Sequence, residues 1–337
     1  RQELEKGDYK IIKTVLHSFS EKDLLIIMQD WQVIINKIKE GRADELSEGD
    51  TMYLGACTKG ANRNSVRKQP FSPILAKQRA YSLKSSYITG YARSILSPSQ
   101  VVSIATESEI AKNSIQEILE SKFKPYLGKR LDEISEILGT EVSIKNKSEL
   151  ARLTSLILNI KGTHLDDVEE FAKANIQFKT VRLEPNGIPK EHMSFEQINF
   201  SRLLDSEWED SQFYEKFEYT KFLFVVFEYK DKAVKNISRP IYLKKICLWN
   251  MPEKIIQNEV KMMWESCRQV LQEGIKLIET KRGIKNNLPG AKDNMVCHIR
   301  PKASNGDDKV VLPDGQMITK QCYWLNREYI AEIVSNN

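Results

Sequence analysis

The clearest helical periodicity lies near the start of the chain. Leu24, Ile27, Met28, Trp31, Ile34, Ile35 and Ile38 recur at three- and four-residue spacing, which predicts a helix over about 21–39 with these residues as its apolar face. Ser20 precedes it as an N-cap, Glu21 and Asp23 occupy the first turn, and Gly41 supplies the stop. Residues 9–19 read as a strand or short amphipathic stretch leading in. Residues 49–57 read as a strand with its lead-in, 58–62 as a loop, 60–72 as a polar exposed segment, and about 76–92 as a second helix or strand–helix unit. Pro98 and several serines mark 94–104 as a connector. Helices follow at about 107–122, 131–138 and 148–160, and alternation predicts a strand at 175–184. The run 222–229 is apolar throughout, as a strand buried on both faces is. A further strand is expected at 241–248 and a long helix at 253–279. The apolar run 295–299 ends in Arg300, Pro301 and Lys302, with a polar loop through Asn305. Proline cannot donate to a sheet ladder, so pairing stops there and the two cations are displayed at a strand end. A hairpin (309–312 with 317–320) and a last helix (about 325–334) complete the pattern.

Two stretches repeat the same order of events. Each has a helix with a tryptophan (Trp31, Trp264), then a strand beginning at a methionine (Met52, Met295). At one offset Thr58-Lys59 falls on Pro301-Lys302 and Ala61-Asn62 on Ser304-Asn305. One residue of slippage later, Tyr81-Ser-Leu-Lys-Ser-Ser-Tyr-Ile falls on Tyr323-Trp-Leu-Asn-Arg-Glu-Tyr-Ile. The same supersecondary unit is therefore expected twice.

At 337 residues the chain can hold one large core or two ordinary ones, and 41% apolar with 29% charged residues is a globular composition. No apolar run approaches the ~18 residues of a membrane span. A net charge of +5 leans mildly toward an acidic partner. The five cysteines form no C-x-x-C pair and read as reduced cytosolic thiols. The four histidines show no zinc-ligand spacing and read as surface or core residues. A first residue of arginine suggests a fragment or processed product.

Four segments carry a resemblance. Residues 45–62 (Glu-Leu-Ser-Glu-Gly-Asp-Thr-Met-Tyr-Leu-Gly-Ala-Cys-Thr-Lys-Gly-Ala-Asn), with Arg67-Lys-Gln-Pro-Phe-Ser and Ala76-Lys-Gln-Arg-Ala-Tyr-Ser-Leu-Lys, resemble the C-terminal part of the catalytic half of GATC-cutting type II restriction endonucleases of the MutH family. His298-Ile-Arg-Pro-Lys-Ala-Ser-Asn resembles the DNA-contacting stretch of the mismatch-repair endonuclease MutH, and some members of the family carry two MutH-like halves in tandem. The resemblance implies an α+β, restriction-endonuclease-like fold: a mixed sheet flanked by helices, complete in the second copy and represented in the first only by its C-terminal part. It implies residues 1–93 as the tail of a first, catalytic-half domain, 94–104 as a connector, and 105–337 as a complete second domain. It further implies a bacterial cytoplasmic location.

The family carries its metal site on a strand, as an acidic residue followed by Glu-x-Lys, because two carboxylates hold Mg²⁺ and a lysine neutralises developing charge. Carried over, the first acid is Glu170, the middle carboxylate is Gln177, and the lysine is Lys179. An upstream glutamate falls on Ser155, and a further lysine on Lys221. The neutral Gln177 makes the second copy catalytically degenerate, with no cofactor in this chain and Mg²⁺ expected for the parent enzyme. Asp166, Asp167 and Glu169 are the neighbouring acids that offer a rebuilt site.

For DNA contact, the resemblance implies Arg300 and Lys302, an arginine being able to bond bidentately to guanine. Asn305 and Trp324 lie beside them in the same copy. In the first copy Cys57 replaces the arginine while Lys59 keeps the lysine, which points to Thr58, Lys59, Asn62 and neighbouring residues. Ser82 replaces the aromatic that Trp324 represents. Arg63, Arg67, Lys68 and Lys84 are candidate phosphate contacts. The implied partners are duplex DNA containing GATC and the N-terminal catalytic segment of the same parent protein, with no membrane. Two other readings stay open: a structural or dimerisation module without specific DNA binding, and an active nuclease with a rebuilt metal site.

Overall fold

The computed structural model describes residues 8–60, 65–97, 102–141, 149–160, 165, 168–235, 238–280 and 283–337. Residues 9–19 form no helix or strand, and Tyr9, Ile11, Ile12 and Leu16 are exposed, so the expected lead-in strand is absent. The first helix, α1 (Glu21–Lys39), has the expected bounds and the Ser20 cap, whose side chain accepts from the Asp23 N–H. Gly41 closes it at φ +73°, where a Cβ would sit 2.6 Å from the Phe71 carbonyl oxygen. The buried face differs from the expectation. It is Asp23, Ile26, Asp30 and Ile34, while Leu24, Met28 and Trp31 point outward. The two aspartates turn the helix, because each has partners inside. The Asp30 carboxylate accepts the N–H groups of Met52 (2.7 Å), Tyr53 (2.6 Å) and Leu54 (2.8 Å).

The strands β1 (Leu54–Thr58), β2 (Val66–Gln69), β3 (Ser72–Lys77) and β4 (Arg79–Leu83) follow, then α2 (Ser85–Leu96). β1 pairs antiparallel with β4, and the β2–β3 hairpin stands between them, so part of the polar 60–72 segment is a strand. Of the expected connector, residues 94–96 belong to α2, 98–101 lie outside the described residues, and Ile104 is buried. The expected helix at 107–122 is two, α3 (Glu107–Ile110) and α4 (Ile115–Phe123), because Ser114 starts a new capping box with Glu117. Next come α5 (Leu131–Ile137), α6 (Glu149–Ile157), α7 (Glu169–Ala174), β5 (Ile176–Leu183), β6 (Met193–Gln197), α8 (Phe200–Asp205) and α9 (Gln212–Tyr219).

The strands β7 (Lys221–Tyr229) and β8 (Ile241–Asn250) complete a mixed sheet ordered β5-β7-β8, parallel between β5 and β7 and antiparallel between β7 and β8. After β8, α10 (Glu253–Ile255) runs through a π turn (Ile256–Val260) into α11 (Lys261–Glu273). That helix stops short of the expected 279, and β9 (Ile278–Thr280) and β10 (Gly283–Lys285) take its place. The chain ends with β11 (Cys297–Pro301), β12 (Lys309–Val311), β13 (Met317–Thr319), β14 (Gln321–Leu325) and α12 (Arg327–Asn336). The last helix is expected from about Leu325, but it begins at Arg327, and 321–325 is a strand. That strand is the middle one of a second sheet, β11-β14-β6.

Alternation along β7 divides the interior in two. Phe222, Phe224 and Val226 face a core with Trp208, Phe213, Trp249, Trp264 and Tyr323. Leu223, Val225 and Phe227 face another that holds Ile118, Leu119 and Phe171. Ile26, Tyr53 and Tyr87, all from the first ninety residues, lie in that second core. Among the described residues no helix is long and apolar enough to cross a membrane.

The two repeated stretches share their hydrogen bonding. β1 pairs with β4 as Leu54↔Leu83 and Ala56↔Tyr81, and β11 pairs with β14 as Cys297↔Leu325 and Ile299↔Tyr323. The β2–β3 hairpin matches β12–β13, and α2 matches α12. At corresponding positions the Lys84 N–H donates to the Tyr53 carbonyl (2.9 Å) and the Asn326 N–H to the Val296 carbonyl (2.8 Å). The two side chains repeat the match: Lys84 Nζ donates to the Thr51 carbonyl (2.5 Å), Asn326 Nδ2 to the Asn294 carbonyl (2.7 Å).

Candidate nucleic-acid interface

Arg300 is the exposed penultimate residue of β11, and Pro301, paired with Gln321, ends the strand. Lys302 and Asn305 are exposed in the loop beyond. Asn305 shapes that loop, its Oδ1 accepting the N–H groups of Asp307 (2.9 Å) and Asp308 (3.1 Å). Trp324, across the ladder on β14, donates its Nε1–H to the Arg300 carbonyl (3.0 Å), and the Arg300 guanidinium lies 5.7 Å from the indole centroid. The indole stacks on His298 at 6.4 Å, and His298 meets His192 edge-on at 4.6 Å. Burial pushes the His298 imidazole down to about 4, against the hydrogen bond between its Nδ1 and Asn326 Oδ1 at 2.6 Å. A neutral ring column therefore backs Arg300, and a charged guanidinium so braced loses less freedom on binding.

At the His192 end of this column lies a cleft of about 580 Å³ between β5 and β6, lined by Lys179, Arg182, Lys190 and Arg239 and by Glu184 and Glu191, with Glu184 holding Arg239 at 2.7 and 3.1 Å. Of these only Lys179 is expected from the sequence. Arg182 lies on the strand predicted at 175–184, so its sign and position were readable. Lys190 and Arg239 come from loops with no such signal.

The carried-over metal-site residues are engaged elsewhere. Glu170 is buried, with Oε1 taking Lys22 Nζ (2.5 Å) and Ser103 Oγ (2.6 Å), and Oε2 taking the Ile104 N–H (3.1 Å). Gln177 Oε1 accepts from Lys216 Nζ (2.6 Å), and that ammonium also pairs with Glu196. Lys179 Nζ lies 5.0 Å above the Phe195 ring. Ser155 is fully buried and donates to the Ala151 carbonyl (3.2 Å). Lys221 donates to the Asp50 carbonyl (3.2 Å), and burial lowers it to about 8. Asp166 and Asp167 lie outside the described residues, and Glu169 pairs with Lys173 and Lys22. Among the described residues no group of three or more His, Cys, Asp or Glu is placed to hold a metal ion. Glu170, neutralised by Lys22, and Gln177, occupied by a lysine, do not fit a divalent cation.

In the first copy Thr58, Lys59, Arg67 and Lys68 are exposed at the end of β1 and on β2, while Asn62 and Arg63 lie outside the described residues. Lys84 is the residue that the structure removes from the candidate phosphate contacts. It is buried, bonded to the Thr51 carbonyl, and faces no solvent from which a phosphate approaches. Burial lowers its pKa, and Asp30, Glu48, Asp50 and Glu218 act against that shift.

Residues 163–259 match the family model described as DNA mismatch repair enzyme MutH. The type II restriction enzyme Sau3AI of Staphylococcus aureus is 38% identical over 354 aligned residues, covering 93% of this chain and 71% of the relative. The family match spans α7 to the π turn, and therefore the β5-β7-β8 sheet. The chain belongs to the family of MutH-like restriction endonucleases.

Proposed function

We propose that this chain is the DNA-reading portion of a type II restriction endonuclease that recognises 5′-GATC, and that its second copy binds one such site without cutting it. The observation that carries the reading is Arg300, exposed at a strand end and braced on Trp324, at one end of a ring column whose other end, His192, lines a cleft with Lys179, Arg182 and Lys190. Arginine reads guanine bidentately in the major groove, and lysines along a cleft hold phosphates. Lys302 and Asn305 extend the contact along the loop.

The chain's own residues support binding rather than hydrolysis. Where two carboxylates would hold Mg²⁺ in the parent's catalytic half, Glu170 is an internal anchor and Gln177 is neutral. In the first copy Thr58, Lys59 and Arg67 form the corresponding DNA-facing end, to be completed by the catalytic segment of the parent enzyme. Occupation of the second copy then favours the active arrangement of the first, a coupling that is reciprocal in binding energy. The shared second core, which holds Ile26, Tyr53 and Tyr87 against β7, supports a mechanical link between the copies.

The test incubates the purified chain with GATC duplex and Mg²⁺. Retarded but intact duplex is expected. Cleavage that Glu170→Ala abolishes contradicts the degenerate site, and equal retardation of GATC and scrambled duplexes favours a structural module instead.

A further inference from the structure

The two copies are built alike but covered differently. In the second, β14 is a middle strand: β11 pairs on one edge and β6 on the other, through Cys322↔Gln197, Trp324↔Ser194 and Leu325↔Met193. α9 then lies over it, with Phe213 packed on Tyr323 at 3.5 Å between ring centroids. In the first copy β4 pairs with β1 alone among the described residues. Lys84 donates its N–H to β1, so strand alternation turns the Tyr81 and Leu83 N–H groups to the other edge. The side chains tell the same story position by position. Tyr323 is 2% exposed and its counterpart Tyr81 52%; Ile330 is 1% and Ile88 50%. The tryptophan of the preceding helix follows suit: Trp264, 5.5 Å from Trp208, is 4% exposed, whereas Trp31 is 46%.

We propose that the open edge of β4, with Tyr81, Ile88 and the outward face of α1, is a docking surface for one kind of occupant: an antiparallel strand followed by an aromatic-bearing amphipathic helix. That is the chemistry of β6 to α9, whose placement on β14 is the template. The occupant is a further MutH-like segment of the enzyme. Its strand lies opposite Ala80, Ser82 and Leu83, the counterparts of the positions β6 takes, and its helix sets an aromatic ring on Tyr81 as Phe213 sits on Tyr323. Exposed, long and partly apolar strand edges template further strand pairing, and here the same molecule shows which partner the geometry accepts. The inference deepens the tandem reading and rests on it.

The experiment co-expresses this chain with the part of the Staphylococcus aureus relative that lies outside the matched 71%. A one-to-one complex is expected, with slowed amide exchange at Tyr81 and Leu83 and a blue shift of Trp31 fluorescence. Tyr81→Asp and Ile88→Asp, both at half-exposed positions, should keep the melting temperature of the isolated chain and weaken the complex at least tenfold. No complex, or a complex that both substitutions leave intact, overturns the proposal. So does light scattering that shows the chain alone dimerising through Tyr81 and Ile88. GATC binding measured on the same preparations separates the failures: docking lost with GATC binding retained refutes this surface alone, whereas both absent refutes the DNA-reading account as well.

Discussion

Lys173→Met removes the cation at the centre of the contact between α1 and α7. Its Nζ lies 2.9 Å and 3.0 Å from the two Asp23 carboxylate oxygens and 2.7 Å from Glu169, and the Lys173 and Asp23 side chains are both buried. The Tyr87 O–H donates to Asp23 as well (3.0 Å) and remains after the substitution. A buried carboxylate that loses its cation typically costs about 3–5 kcal/mol. Glu169 is more exposed, and its share is on the order of 1 kcal/mol or less. The expected loss is therefore about 3–5 kcal/mol, a large part of the ~5–15 kcal/mol by which domains are stable. Urea unfolding followed by tryptophan fluorescence and by circular dichroism measures it. Asp23→Asn combined with Lys173→Met removes the stranded charge and should recover most of the loss. A single-variant loss below about 1 kcal/mol, or a double variant no better than the single, refutes the reasoning.

The pH range of this contact follows from its signs. Burial pushes Glu169 up, but the hydrogen bond and charge of Lys173, with Lys22, outweigh it and hold the carboxyl below its ordinary value. Its contribution is present above the unfolded value of about 4.3 and is lost as pH falls through the lower folded value. Burial pushes Lys173 down, while Glu169 and Asp23 raise it further. Its contribution is full below the unfolded value of about 10.4 and is lost only as pH rises through the higher folded one. The contact is intact between roughly pH 5 and pH 10.

Two further outcomes follow. His298, lowered to about 4 by burial, should stay neutral at pH 5.5 in an NMR titration; because the unfolded chain protonates first, near about 6.5, this group makes stability fall as pH drops between those values, and a folded midpoint at or above 6 contradicts the buried ring column. Lys84→Met should lower stability by about 1–3 kcal/mol in urea unfolding, by leaving the Thr51 carbonyl without its donor, and should leave the salt dependence of DNA binding unchanged; a flatter salt slope would return Lys84 to the candidate phosphate contacts.

Periodicity located α1, β5, β7, β8 and the β12–β13 hairpin because each has a strong local pattern. The repeat was legible for a related reason: Tyr81 and Tyr323 hold the same register position. The rest depended on partners far along the chain. The α1 face was misjudged because Asp23 and Asp30 look like solvated residues until Lys173 and the β1 amides are seen beside them. β14 was hidden because Gln321–Leu325 runs without a break into α12, and only its pairing with β11 and β6 makes it a strand. Lys84 looked like one more surface cation, and its burial follows from the Thr51 carbonyl it satisfies. Among the candidate DNA contacts, Arg300 and Lys302 were legible from the strand end. The cleft at His192 was not, because Arg182, Lys190 and Arg239 come from β5, the loop before β6 and the loop between β7 and β8, and meet only in the folded structure.

The central claim is that the Arg300 end of the second copy reads GATC. Fluorescence anisotropy with labelled GATC and scrambled duplexes, at about 50 mM and about 200 mM salt, tests it most directly, because non-specific binding is screened away at the higher concentration. The account predicts that GATC binding persists there and scrambled binding does not. Arg300→Ala should reduce the discrimination by about 1–3 kcal/mol, or roughly 5- to 150-fold, while Lys302→Ala lowers the salt slope by about one. Equal affinity for the two duplexes at the higher salt, or discrimination unchanged by Arg300→Ala, would contradict it.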